Sequence, residues 1–239
     1  MKHPIELSGK EALEPQAVPK TVRAAFTAVA VAAWFVTQSL LAARGFPEGI
    51  GDGVHLFFAP LTNWLVSHSQ AADALIIITS GIIDALGLFL LVSGVISRSV
   101  RPLLGLTLLY ILRQICQVLT ALPPPEGMIW RYPGFPSLFV TYGTANDFFF
   151  SGHTAIAVYG TIELARLERR WLTVTAVVIA VIEALTVLVL RAHYTMDVFT
   201  AILAAAWAAD VASRWAPLCD RALASCSALR FNKRSQSRG

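Results

Sequence analysis

The chain has 239 residues, of which 56% are hydrophobic and only 14% charged, with a mean hydropathy of +0.62. Soluble domains carry about 25% charged residues, so this composition excludes a soluble enzyme, a disordered tail and a disulfide-stapled secreted domain. The net charge of +4 follows from membrane topology and calls for no nucleic acid, and Cys116, Cys219 and Cys226 make neither a disulfide framework nor a metal motif.

In chain order, residues 1–21 are a polar tail of mixed charge, too long and too acidic for the head of a signal peptide. A membrane span needs about 20 mostly apolar residues. Six blocks meet that need and predict spans over Val22–Ala43, Ala71–Ile96, Arg101–Leu122, Phe148–Leu167, Trp171–Leu190 and Thr195–Pro217. Residues 54–68 are apolar too, but their shortness and Pro60 predict an interfacial or re-entrant segment. Residues 123–147 form a loop rich in Pro, Gly and aromatic residues, and residues 218–239 a basic tail. The expected fold is an all-α polytopic membrane protein with six transmembrane helices, its membrane domain at 22–217 between cytoplasmic tails at 1–21 and 218–239.

The basic residues set the orientation. The amino tail, the turn at Arg98 and Arg101, the turn at Arg166, Arg169 and Arg170, and the carboxyl tail hold fifteen of the nineteen Lys and Arg. The opposite side has Arg44, Arg131 and Arg191, and Arg113 falls inside a span. By the positive-inside rule both termini are cytoplasmic, which requires an even number of spans.

Two segments on the outer side carry chemistry: Asn146-Asp147-Phe-Phe-Phe-Ser151-Gly152-His153-Thr154 and Arg191-Ala-His193-Tyr194-Thr195-Met196-Asp197. Each puts a histidine where an outward-facing helix N-terminus meets the interface. Free N–H groups and the positive end of the helix dipole suit a phosphate there. Ser151 and Gly152 let backbone approach an anion. Asp197, four residues after His193, is expected on the same helical face, fixing its tautomer and stabilising its cation. His193 then reads as a nucleophile and His153 as the acid or base for the leaving group. A His-x3-Asp pair can also chelate, but with three ligands and no HExxH or Cys cluster, no metal and no cofactor is expected.

The combination FSGHT and HYTMDV, with a third-span stretch Tyr110-Ile-Leu-Arg113-Gln-Ile-Cys-Gln-Val-Leu-Thr120-Ala-Leu122-Pro123, resembles the sphingomyelin synthase family of the type-2 phosphatidic acid phosphatase superfamily. Of the Cys-Gly-Asp that commonly precedes SGHT in that family, the chain keeps Asp147. The resemblance implies six spans, an exoplasmic site and transfer of a phospho-headgroup from a phospholipid to a lipid hydroxyl, ceramide's or diacylglycerol's, through a phosphohistidine. It implies His193 as nucleophile, Asp197 as its orienter, and His153 as the group exchanging a proton with the lipid alcohol. Ser151, Gly152, Asp147, Arg113, Tyr194 and Arg191 are the expected substrate-binding residues, and membrane lipids the partners. Hydrolysis of a lipid phosphate is the alternative on the same intermediate, and a non-catalytic lipid-binding protein the alternative of another class. The Ala- and Arg-rich composition points to a bacterial inner membrane with a periplasmic site, and a site facing a lumen or the exterior is equally consistent with it.

Asp84, Arg113, Glu163 and Glu183 fall within spans. At about 1.5 Å per residue the last three come out near the midplane, where charges pair or floor a polar chamber. Glu163 is expected in a structural network. Tyr194 and Pro123–Pro125 are expected to shape the entrance, and Phe148–Phe150 to anchor the interface.

Overall fold

A computed structural model describes residues 20–42, 50–140, 142 and 148–236. They form seven α-helices, with no strand among the described residues. The chain divides into two units, residues 1–51 and 52–239. In the first, α1 (Lys20–Ala42) exposes Phe26, Trp34, Phe35 and Leu40. Its hydroxyls are satisfied by carbonyls one turn back, Thr37 Oγ1 donating to Ala33 O at 2.9 Å and Ser39 Oγ to Phe35 O at 3.0 Å.

The second unit contains α2 (Gly53–Ser67), α3 (Ser69–Ile96), α4 (Arg101–Leu119), α5 (Gly152–Ala165), α6 (Arg170–Val189) and α7 (Thr195–Gln236). Among the described residues, four helices are long and apolar enough to cross a membrane: α3, α4, α6 and residues 195–225 of α7. The chain is therefore a multi-pass membrane protein. The 54–68 segment is the helix α2, with Pro60 inside it. The expected boundary at Pro217 is not a break, because α7 runs through that proline to Gln236.

The predicted span Phe148–Leu167 is shorter than expected. Ser151 caps the start of α5, and Glu168, with a left-handed φ of 57°, turns the chain after its end. Fourteen residues reach only about 21 Å, less than the ~30 Å hydrocarbon core. This helix packs on α3, α4, α6 and α7. Its packing is close because small residues allow it. Ala201, Ala204, Ala205, Ala208, Ala209, Ala212 and Ala216 are all buried along one side of α7, and such a stripe lets helix backbones approach. Gly105 of α4 does the same for Tyr159 of α5, whose hydroxyl sits where a Cβ would stand and donates to Arg101 O at 3.0 Å.

The charges expected near the midplane lie at different depths. Glu163 sits in the last turn of α5, 2% exposed, and is held by Arg101 Nη2 at 3.0 Å and Arg166 Nε at 3.2 Å. Its partners are Arg101 and Arg166 where a network around Arg113 was expected, and it lies at the end of α5 remote from His153. The depth expected from counting was wrong because α5 ends at Ala165, two residues later. Asp84 of α3 accepts from Ser137 Oγ at 2.8 Å, Leu138 N at 2.9 Å and Phe139 N at 2.9 Å. It thereby draws non-helical backbone down to mid-helix depth, which is tolerated where that backbone lines a protein cavity. Glu183 of α6 is fully buried, with the buried Thr79 hydroxyl of α3 as its side-chain neighbour.

Candidate active site

The starts of α5 and α7 meet at one place. Ser151 Oγ caps α5, accepting from Thr154 N at 3.3 Å and from Thr154 Oγ1 at 3.1 Å, and Ser151 N donates to Asp197 O at 3.3 Å. At the start of α7, Tyr194 N donates to Asp197 Oδ2 at 2.9 Å. Asp197 is fully buried one turn into the helix, a favourable place for a carboxylate against the dipole.

A residue outside the two motifs pins this junction. Asp52 Oδ1 caps α2, accepting from Val54 N at 3.0 Å and His55 N at 3.3 Å, and it also accepts from Thr195 Oγ1 at 2.7 Å. Asp52 Oδ2 accepts from Thr195 N at 2.6 Å. One carboxylate thus caps two helices. Burial by itself raises the Asp52 pKa, but the two Thr195 hydrogen bonds, the neighbouring His55 ring and the His55 N–H outweigh it and hold the group below its ordinary value. His55 is buried, stacks on Tyr194 at 5.9 Å, and its Nε2 donates to His193 O at 2.9 Å.

His193 precedes α7 instead of standing on it, so it shares no helical face with Asp197. Its Nδ1 hydrogen-bonds to Phe148 O at 2.8 Å, and Asp197 Oδ2 is further away at 3.6 Å. A carbonyl can only accept, so Nδ1 carries the proton and Nε2 is the bare nitrogen of the neutral ring. The expected orienter is replaced by a backbone carbonyl, with the Asp197 charge one step behind. His153, in the first turn of α5, is buried, and its Nε2 has no protein partner; Trp130 meets its ring edge-to-face at 5.0 Å.

Both imidazoles line a cavity of about 570 Å³. Arg113, Gln114, Gln117 and Gly152 line it with them, as do the apolar side chains of Ile83, Leu106, Leu109 and Ile156. Arg113 Nε donates to Phe150 O at 2.9 Å, and the guanidinium lies 3.4 Å from where a Gly152 Cβ would stand. This places Arg113 at the N-terminus of α5, among groups that suit a phosphate.

Other expectations fare differently. Arg191, at φ 51°, turns to the preceding loop, where its Nη1 donates to Glu126 O at 2.7 Å, and it is not among the cavity-lining residues. Tyr194 donates to Pro123 O at 3.2 Å and does not line the cavity either. Ser151 is spent as a helix cap. Phe148 and Phe150 are buried in the cavity wall and do not face the interface, because the chain enters the protein to reach the α5 cap. Asp147 lies outside the described residues.

Asp52, His55 and Trp130 were not singled out from the sequence. Asp52 had a visible signal, a capping residue directly before an apolar run; nothing local announces the other two.

The family model AtPDCT1/2 matches residues 53–214, about two thirds of the chain. The chain belongs to that family. Its members are phosphatidylcholine:diacylglycerol cholinephosphotransferases, a family related in function to the sphingomyelin synthases but distinct from them, so the resemblance drawn from FSGHT and HYTMDV is corrected. The physical reason is that two short motifs specify phosphate chemistry at two helix starts, whereas the family match reads the whole helical frame from α2 to α7. Membership makes this a membrane protein of lipid headgroup transfer. The bacterial inner membrane inferred from composition has no support in a plant-derived family. Neither a curated protein nor a solved structure matches the chain.

Proposed function

We propose that the protein transfers phosphocholine from phosphatidylcholine to diacylglycerol through a phosphohistidine intermediate. The observation that carries this is one cavity lined by His153, His193 and Arg113 together with apolar side chains, in a chain of a cholinephosphotransferase family. The His193 Nε2 lone pair attacks phosphorus as the bond to the glycerol oxygen breaks. His153, protonated, gives its proton to that oxygen, and diacylglycerol leaves. The phosphorylated ring is cationic, and Phe148 O and the Asp197 carboxylate face its Nδ1–H. Arg113 and the first N–H groups of α5 hold the phosphate oxygens. A second diacylglycerol then gives its hydroxyl proton to His153, attacks phosphorus, and breaks the P–N bond. Both histidines return to their starting states. The bond formed is of the same kind as the bond broken, so one cavity serves both halves.

In this reading α1 and α3 to α7 make six crossings, α2 does not cross, and both termini are cytoplasmic. The site then opens on the opposite side of the membrane. Because α5 is short, the phosphate sits below that surface, within reach of a lipid that stays in its leaflet.

The test uses purified protein in vesicles of phosphatidylcholine and isotopically labelled diacylglycerol. Label should enter phosphatidylcholine with wild type and not with His193→Ala. Free phosphocholine released without any labelled phospholipid would refute transfer in favour of hydrolysis.

A further inference from the structure

Building on that reading, we infer that residues 123–131 form a strap that keeps water from the phosphohistidine, so that the headgroup passes to a lipid alcohol instead of being hydrolysed. The strap is fastened along its length. Tyr194 Oη donates to Pro123 O at 3.2 Å, Arg191 Nη1 to Glu126 O at 2.7 Å, and Ile129 N to Leu190 O at 2.9 Å. Arg131 Nη2 donates to Ser69 O at 3.2 Å and ion-pairs with Asp73 Oδ1 at 2.7 Å. Gly127, at φ 71°, bends the strap where a Cβ would stand 3.0 Å from Arg191 Nη1. The Ile129 side chain is buried with Leu65, Ile76 and Leu190.

Arg191 and Tyr194 belong to the motif around His193 but do not line the cavity, and holding the strap gives them a role there. The anchors lie at the start of α3, the end of α6 and the start of α7, the end of the bundle that meets the outer aqueous phase in the six-crossing reading. From these anchors the strap places Met128 and Trp130 in the cavity wall. Trp130 meets the His153 ring edge-to-face at 5.0 Å and stacks on Tyr142 at 5.5 Å; the Tyr142 hydroxyl is 2.7 Å from Ser80 Oγ of α3. His153 is left 8% exposed and His193 7%.

Transfer and hydrolysis start from one intermediate. A lipid hydroxyl or a water molecule attacks phosphorus, the P–N bond to His193 breaks, and the proton of the attacking oxygen goes to His153. The first course yields a phospholipid and the second free phosphocholine. Water is smaller and far more concentrated than diacylglycerol, so the chemistry at phosphorus does not by itself favour the lipid. A site closed to water suppresses such side reactions. Trp130 is the strap's contribution to that closure, because its indole stands beside the imidazole that must take the proton. Diacylglycerol is brought to the same imidazole along the apolar lining of Ile83, Leu106 and Leu109. Trp130 is thus a positioning residue that sets the acceptor, with Arg191 and Tyr194 acting through it.

The test uses the full chain in vesicles of choline-labelled phosphatidylcholine and diacylglycerol carrying a different label. Transfer is read as diacylglycerol label in phosphatidylcholine, and hydrolysis as free phosphocholine. Trp130→Ala should raise the ratio of hydrolysis to transfer about tenfold while phosphatidylcholine is still consumed. Trp130→Phe, which keeps a ring beside His153, should hold the wild-type ratio. Arg191→Ala, which frees Glu126 O, should raise the ratio as well, and Arg191→Lys, which still donates, should restore it. A wild-type ratio in both alanine variants would overturn the strap. So would loss of both products in parallel in the two variants, since residues 123–131 would then only frame the site. With wild type transferring the headgroup, either result leaves the proposed reaction standing. Wild type that releases phosphocholine without making labelled phospholipid would overturn both, because water then reaches phosphorus with the strap in place.

Discussion

Replacing Asp52 separates the frame of the site from its chemistry. Asp52 does not line the cavity, yet it accepts four hydrogen bonds from the starts of α2 and α7. Losing a helix cap costs about 0.5–2 kcal/mol, and hydrogen bonds to a charged group are worth about 1.5–3 kcal/mol. With two helices capped and the carboxylate partly exposed, Asp52→Ala should cost roughly 2–4 kcal/mol of stability. Asp52→Asn is the sharper variant. Its Oδ1 can still cap α2, but its NH2 group then faces Thr195 N, donor against donor, where the wild type has a 2.6 Å bond. The start of α7 must shift, and with it the His193 turn two residues earlier. A shift approaching 1 Å costs about 100-fold in rate. Labelled-diacylglycerol incorporation should therefore show kcat reduced ten- to a hundredfold in Asp52→Asn, with KM little changed and a smaller loss of Tm than in Asp52→Ala. The pH dependence has a definite sign. Because the folded-state pKa is lowered, the stabilisation is complete above the unfolded value of about 3.9 and is lost only as pH falls through the still lower folded value. Wild-type thermal stability should thus show no loss from Asp52 between pH 5 and 8. Full activity in Asp52→Asn would refute the reasoning.

The neighbouring His55→Phe keeps a ring against Tyr194 but removes the donor to His193 O; at about 1 kcal/mol for one such bond, kcat should fall about fivefold, and an unchanged kcat would show that the turn holds itself. Arg113→Lys keeps charge but loses the planar fork fixed on Phe150 O, so kcat/KM should fall by about 10- to 100-fold, checked by varying phosphatidylcholine at fixed diacylglycerol. Glu163→Gln uncouples Arg101 and Arg166 at the far end of α5. Because both arginines are partly exposed, the cost belongs at or below the low end of the ~3–5 kcal/mol for breaking a buried pair. The melting temperature should drop by several degrees while headgroup transfer at low temperature is unchanged; loss of transfer without a change in melting would contradict the structural role.

Composition and the spacing of apolar blocks determined that this is a helical membrane protein, because a bilayer leaves so few ways to satisfy backbone polar groups. The sequence also placed two histidines beside helix starts, since Ser151-Gly152 and Tyr194-Thr195 carry local capping chemistry. It reached the reaction class but not the family, because short motifs read the phosphate and not the frame around it. Tertiary structure decided the rest. That Phe148 O and not Asp197 holds His193 depends on a segment 45 residues away, and that Asp52 fixes the start of α7 depends on one 143 residues away. The same holds for Arg113, which a depth count put near the midplane and which packing places at the α5 N-terminus. Hydrogen bonds across such separations leave no periodic trace in the chain, so only the packing of α2, α4, α5 and α7 reveals which polar groups share the cavity and which merely frame it.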